Sequence, residues 1–256
     1  IKNLEQELGL QLFERSTRDI KLTETGSALF EQLDPLVDQL DTVVADFWQA
    51  GRRKSVRVSV QPFFASEFFG PRLSEFTAMH PEIDIQVGTS DEASEKLPAD
   101  ADLSIRLFRS PPAGTQSDLL VPLRMAPAGS PDFKKSLKIQ KKKIVSPFPV
   151  IVHETRPKAW TEWSESSGIA LPEDFKVTRL DSMIAVVRAA EQGIGAALVP
   201  VPIADLWFKQ GSIVRLFPQE LVADQSYFLV SREDRDTDAA VETLRRWILQ
   251  KFAATP

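Results

Sequence analysis

The stretch Ile1-Lys2-Asn3-Leu4-Glu5-Gln6-Glu7-Leu8-Gly9-Leu10-Gln11-Leu12-Phe13-Glu14-Arg15-Ser16-Thr17-Arg18-Asp19-Ile20-Lys21-Leu22-Thr23-Glu24-Thr25-Gly26 packs three local signals into one short segment. Ile1, Leu4 and Leu8 recur at spacings of three and four, which puts them on one helical face, and Gly9 suits the left-handed residue that closes a helix. The pattern is already helical at Ile1, and no initiator methionine precedes it, so the chain reads as starting inside an element. Leu12-Phe13 and Ile20-Lys21-Leu22 flank the polar tip Arg15-Ser16-Thr17-Arg18-Asp19, which predicts two short strands joined by a turn, a candidate wing.

Working outward, Thr23 is placed to cap a long helix. Within it Leu29, Leu33, Leu36, Leu40, Val43 and Phe47 alternate spacings of four and three, a heptad seam that suits pairing with another helix. Running to about Gln49, the helix is expected to be roughly 40 Å long, with a local kink at Pro35. The plainer reading, a core-facing helix of one globular domain, is weaker because so long and isolated a seam is commoner in coiled coils. Gly51-Arg52-Arg53-Lys54 then reads as a charged connector.

Beyond it Val56, Val58 and Val60 alternate with polar residues as in a strand. A helical pattern over Phe69 to Met79 follows, then strands at Ile83 to Val87 and Asp102 to Arg106. The same grammar repeats downstream in Val150 to Val152, a helix from Met183 to Gln192, a turn at Gly193-Ile194-Gly195 and an apolar run from Ala196 to Val199. Tyr227 to Val230 reads as a strand and Ala239 to Phe252 as a helix with Val241, Leu244, Ile248 and Phe252 on one face. Strands alternating with helices predict an α/β sheet.

Composition removes several chemistries. The 256 residues are 43% apolar and allow about two domains. There is no cysteine, so disulfides, thiolate metal sites and thiol nucleophiles are absent. His80 and His153 are too few for most zinc constellations, and neither a metal nor an organic cofactor is expected. No run approaches the roughly 20 apolar residues of a membrane span, and Ile1-Lys2-Asn3 lacks a signal-peptide core, so the expected location is cytoplasmic and no membrane partner is expected. The formal charge of −5 argues against a basic coat, so any nucleic-acid contact has to be local.

Ile1-Lys2-Asn3-Leu4-Glu5 through Leu8-Gly9, then Leu12-Phe13-Glu14-Arg15 and Leu22-Thr23-Glu24-Thr25-Gly26, closely resemble the winged helix-turn-helix of LysR-type transcriptional regulators. Phe76 to Pro81, Asp102 to Arg106, Ser130-Pro131, Trp160 to Trp163 and Gln192 to Gly195 resemble that family's effector domain, especially its glycine-cleavage-activator and AmpR-like branch. The resemblance implies a partial winged helix-turn-helix over 1–24, a dimerising linker helix and connector over 25–54, and an effector domain over 55–256. That domain is expected to be Rossmann-like and two-lobed, as in type 2 periplasmic binding proteins. Lobe one comprises 55–125 and 226–256, and lobe two 126–225. The resemblance further implies a homodimer or homotetramer, with RNA polymerase as a further partner. The base-reading front of the recognition helix is expected upstream of Ile1, so operator binding needs that missing N-terminal part. The glycine that often follows the position of Arg106 is replaced by Leu107-Phe108-Arg109, which alters the expected pocket rim.

For promoter or operator DNA, the candidate contacts are Arg15, Ser16, Thr17, Arg18 and Lys21, placed to touch phosphates rather than to read bases. Residues 1–54 hold seven Lys or Arg against ten Asp or Glu, so the segment as a whole is not basic. Effector binding in an open α/β sheet belongs at the carboxyl ends of strands, where loops meet helix N-termini. Gln61, Phe63, Phe64 and Ser66 follow one strand, Thr89 and Ser90 another, and His153 and Thr155 a third. Aromatic walls and hydroxyls there suit a small anionic or amphiphilic molecule. Arg106 is the candidate partner for a carboxylate. Residue by residue, phenylalanines that are simply core and hydroxyls that simply cap helices explain these positions about as well.

His153-Glu154 does not make a catalytic pair, because neighbours in a strand point to opposite faces. Gly193-Ile194-Gly195 lacks the third glycine of a dinucleotide fingerprint and reads as a tight turn. The lysines at 134, 135, 138 and 141–143 read as a solvated face. An enzyme is therefore not expected. The leading reading is a ligand-controlled, DNA-binding transcription regulator. The alternative is a two-lobed small-molecule binding protein without DNA function, since the same fold serves solute capture.

Overall fold

The computed structural model describes residues 2–15, 20–49, 54–89, 98, 101–232 and 238–253. The chain divides into two compact units, Ile1–Lys54 and Ser55–Pro256. In the first, α1 (Lys2–Leu8) is followed by the antiparallel pair β1 (Phe13–Arg15) and β2 (Ile20–Leu22), and then by α2 (Glu24–Gln49). Gly9 adopts φ +63°, the left-handed conformation that its place after α1 requires. Glu5 Oε1 accepts from the backbone N–H groups of Leu12 and Phe13, at 2.9 and 3.1 Å, and so ties α1 to the first strand. Thr23 Oγ1 accepts from Gly26 N at 2.9 Å, the capping bond expected of it. A Cβ on Gly26 would lie 2.1 Å from the Leu12 carbonyl oxygen, so only glycine lets α2 start this close to the preceding strand. Helix α2 is continuous through Pro35.

The second unit begins with β3 (Lys54–Val60), whose Val56, Val58 and Val60 are buried as their alternation predicts. One helical run follows in three pieces: α3 (Pro62–Phe64), a π-helical turn at Ala65–Phe69, and α4 (Gly70–Met79). Pro71 has no N–H to continue an α-helical ladder, and the turn before it widens so that Gly70 N–H reaches the Ala65 carbonyl. Then come β4 (Ile83–Thr89), β5 (Leu103–Phe108) and the long β6 (Thr115–Gly129). Next are α5 (Pro131–Ser136), the hairpin β7 (Ile139–Gln140) and β8 (Lys143–Ile144), β9 (Val150–His153), α6 (Ala159–Ser167) and β10 (Val177–Leu180). The chain ends with α7 (Met183–Glu191), β11 (Ala196–Val201), α8 (Asp205–Lys209), β12 (Val214–Arg215), β13 (Leu221–Arg232) and α9 (Ala239–Phe252).

Nine of these strands form one mixed sheet in the order β10-β9-β11-β6-β13-β5-β3-β4, with β12 added alongside β6. It has two halves, each with its own aromatic core. Phe64, Phe68, Phe69, Phe76, Trp247 and Phe252 pack together where the helical run after β3 meets α9, with ring centroids 5.1 to 6.3 Å apart. Phe133, Phe148, Trp160, Trp163 and Phe217 do the same in the other half, at 4.9 to 6.3 Å. Burying each such ring contributes about 1.5–3 kcal/mol before geometry is counted. Two strands, β6 and β13, run through both halves: β13 pairs β6 from Leu221↔Met125 to Arg232↔Thr115. Among the described residues, no helix is long and apolar enough to cross a membrane.

Candidate functional site

The strand directions place the site. β3 runs parallel to β5, and β5 reaches the middle of β13 with Phe108 opposite Ser226. From the other half, β11 runs antiparallel to β6 and reaches Arg124 with Val201, while β9 runs parallel to β11. The carboxyl ends of β3 and β5 therefore face those of β9 and β11 across the segment where β6 and β13 pass between halves. Loops after parallel strands gather at such a junction.

At that crossing the ladder is broken. Val222 pairs with Arg124 and Ser226 with Pro122, which leaves Ala223, Asp224 and Gln225 opposite Leu123 alone. Pro122 lacks the N–H a ladder needs, and the surplus residues on β13 form a bulge, a device that re-aims side chains. Asp224 and Gln225 engage one arginine from each half. Arg109, just after β5, places Nε 2.8 Å from Asp224 Oδ2. Arg156, just after β9, donates from Nη2 to Gln225 Oε1. Burial lowers the Arg156 pKa, against the charges of Tyr227, Asp224 and Glu162, and Arg109 lowers it further.

Arg156 and His153 line, together with Met125, Ile151, Trp160 and Met183, a recess with room for little more than one water molecule. The Trp160 indole is fixed by its Nε1–H donating to the Ile151 carbonyl at 3.2 Å. Thr155 binds His153 Nδ1 twice, through Oγ1 at 2.9 Å and backbone N–H at 3.3 Å, which leaves the ring proton to Nε2. A second link joins the halves: Trp207 Nε1 donates to Glu67 Oε2 at 2.7 Å, with the Arg188 guanidinium 4.4 Å above the indole. Glu67 lies in the π-helical turn, and Arg188 lies on α7.

The residues expected at an effector site fall in different places. Gln61 follows β3 at the junction, and its Oε1 is buried with no hydrogen-bond partner among the described residues. Phe63 and Phe64 are buried, and Phe64 packs on Phe68 and Tyr227 at 5.2 and 4.8 Å, so its ring belongs to the aromatic core. Ser66 is exposed and its hydroxyl turns back to the Phe63 carbonyl. Thr89 closes β4 and is exposed, and Ser90 lies outside the described residues. Arg106 is 5% exposed, its Nη2 2.6 Å from Ser59 Oγ inside the sheet. Arg156 and Gln225 were not anticipated, and Arg109 was expected only as part of an altered pocket rim. The one available signal was the position of Arg109 and Arg156 directly after strands.

In the first unit, Ser16, Thr17 and Arg18 lie outside the described residues, Arg15 ends β1, and Lys21 is an exposed residue of β2. On α2, Leu29 is half-buried, while Leu33, Leu36 and Leu40 are 41%, 57% and 60% exposed. The Val43 and Phe47 side chains lie outside the described residues.

A short wing followed by a long helix, with a separate two-half α/β unit built around a cleft, defines a sensor joined to a nucleic-acid-binding element. Residues 1–27 match the bacterial regulatory helix-turn-helix of the lysR family and residues 49–253 match the LysR substrate binding domain, so the chain belongs to the LysR-type transcriptional regulators. In particular it is similar to the glycine cleavage system transcriptional activator of Escherichia coli K12, at 28% identity over 99% of this chain and 83% of the relative. It is also similar to the transcriptional activator AmpR of Enterobacter cloacae, at 27% identity over 98% of this chain and 86% of that protein. The effector domain of AmpR from Pseudomonas aeruginosa superimposes with a TM-score of 0.66 at 25% identity, over 77% of this chain and 94% of that one. Full-length AphB from Vibrio cholerae shares the fold with a TM-score of 0.60 at 18% identity, over 97% and 87%.

Proposed function

We propose that this regulator responds to a small molecule held in the cleft between lobe one, 55–125 with 226–256, and lobe two, 126–225. The observation that carries this reading is the meeting of four strand ends, two from each half, across only two connecting strands. A ligand touching both sides gains affinity from one relative position of the halves and shifts the population toward it. Arg15, Ser16, Thr17, Arg18 and Lys21 are the proposed backbone contacts to operator DNA, and a cytoplasmic location goes with that reading. The exposed leucines of α2 support a second copy of the chain as its partner, because a seam this apolar is unstable in water.

Binding of the full protein to the DNA upstream of its own coding sequence, across a salt series, tests the regulator. Occupancy of a discrete site that weakens steeply with salt is expected, and Lys21→Ala should lower the log–log slope by about 1. No DNA binding at any salt concentration would overturn the reading and favour a two-lobed receptor without DNA function. Sedimentation tests the partner: Leu36→Asp combined with Leu40→Asp is expected to give a monomer while leaving the second unit's melting temperature unchanged.

A further inference from the structure

Six lysines, at 134, 135, 138 and 141–143, fall within α5, the β7–β8 hairpin and the link between them. Three are answered locally: Lys134 Nζ donates to the Arg215 carbonyl at 2.7 Å, Lys135 pairs with Asp132 at 2.8 Å, and Lys143 pairs with Glu173 at 3.6 Å. Lys138, Lys141 and Lys142 are exposed, and none of the described residues brings a carboxylate within 4 Å of them. In a chain of formal charge −5 they make a local reversal of sign. The hairpin also holds two of them in an unfavourable backbone shape. Lys141 and Lys142 form its two-residue loop, between the paired Gln140 and Lys143, with φ of +46° and +63°. Such a loop suits Asn-Gly, because a Cβ is strained in that region. Its surroundings enforce it: Ala170 N–H donates to the Lys142 carbonyl at 2.8 Å, Ile144 N–H donates to the Ala170 carbonyl at 3.0 Å, and the Ile144 side chain is buried. At the base, Lys138 N–H donates to Ser146 Oγ at 3.1 Å and Val145 N–H to the Lys138 carbonyl at 3.0 Å. The tip is thus fixed from several sides, and it carries lysines where a turn chosen for stability alone would carry none.

We propose that the β7–β8 hairpin is a second DNA contact, distinct from the wing, in which Lys138, Lys141 and Lys142 meet the phosphate backbone. This rests on the reading of the chain as a DNA-binding regulator and extends its DNA contact to the second unit. Membership of that family supplies the polyanion. Residues 1–54 hold seven Lys or Arg against ten Asp or Glu, so cations placed elsewhere in the chain add what that segment lacks. Lysine is a point charge that suits phosphate and reads no base, so the hairpin contributes affinity and not choice of sequence. A run that reads locally as a solvated face is therefore divided by the fold into three neutralised lysines and three presented ones.

The test is anisotropy titration of the full protein on a duplex that reaches several helical turns beyond its upstream site, across a salt series. Lys138→Gln combined with Lys141→Asn and Lys142→Gly removes the three charges and gives the turn its favoured residues. It should lower the log–log salt slope by about 2–3 and the affinity near about 0.1 M salt by about ten-fold or more. Its melting temperature should hold or rise, a combination that unfolding cannot mimic. Lys138→Gln alone, outside the turn, should lower the slope by about 1. Replacing all three lysines by arginine keeps charge and strain together and should keep the parent slope. An unchanged slope in the neutral variants, or a lost one in the arginine variant, would overturn the proposal while leaving the regulator reading intact. Polyglutamate that binds the parent more tightly than the duplex does, through the same three lysines, would overturn it in favour of an acidic protein partner. A parent that binds no DNA at any salt concentration brings down the regulator reading itself, and the hairpin contact with it.

Discussion

Asp118 and Arg245 form an asymmetric pair that mutation can separate. The Arg245 side chain is 4% exposed and donates to Asp118 and to Ser231 Oγ, whereas the Asp118 side chain is 38% exposed. Removing the carboxylate strands a buried cation; removing the cation leaves a carboxylate that water can reach. Asp118→Asn is therefore expected to cost about 2–4 kcal/mol and Arg245→Met about 1–2 kcal/mol, read from urea unfolding at a constant m-value. Glu220 carries a pH-dependent contribution. Burial raises its pKa, but the hydrogen bond from Arg215 and the charge of Arg124, whose Nη2 is 2.6 Å from Oε2, outweigh it and the net shift is downward. A depressed carboxylate stabilises the fold above its unfolded pKa, and that contribution is lost as pH falls through the folded value. Glu220→Gln should therefore destabilise the protein near neutrality by about 1–2 kcal/mol. The difference from the parent should close as pH drops below about 4, followed by thermal unfolding at several pH values.

Elements show what the sequence can and cannot carry. The valines of β3 and the apolar run of β11 were legible because burial there follows directly from local pattern. The turn at Gly193 was legible too, and it adopts φ +77°. A Cβ on Gly195 would lie 2.5 Å from the Pro149 carbonyl oxygen, so Gly195→Ala should cost about 2 kcal/mol or more, measurable as a lowered melting temperature. By contrast β6, the longest strand, was missed. Its two halves have different neighbours, so no single alternation runs along it, and Pro122 and Pro127 read as strand breakers. β10 was missed because it is a largely exposed edge strand with no apolar stripe. Arg106 and Arg156 could not be told apart for a similar reason. The first bonds to Ser59, 47 residues earlier, and the second to Gln225, 69 residues later. Local pattern contains neither fact.

At the scale of the whole molecule, the second unit has its own sheet and both aromatic cores, so residues 55–256 expressed alone should fold. Calorimetry should find their transition within a few degrees of the same transition in the full chain, and a larger shift would mean that the first unit contributes to this core. The manner in which its two halves are joined constrains how they move. They are connected by two adjacent strands of one continuous sheet and not by loose loops, so opening the cleft has to wind or unwind a hydrogen-bonded ribbon. Such a joint behaves as a torsion spring: displacement is resisted in proportion to its angle and the halves recoil when released. The ribbon's register shifts twice within a short stretch, at the bulge beside Pro122 and again between Tyr227 and Phe228, so its compliance is concentrated there, where Asp224 and Gln225 hold Arg109 and Arg156.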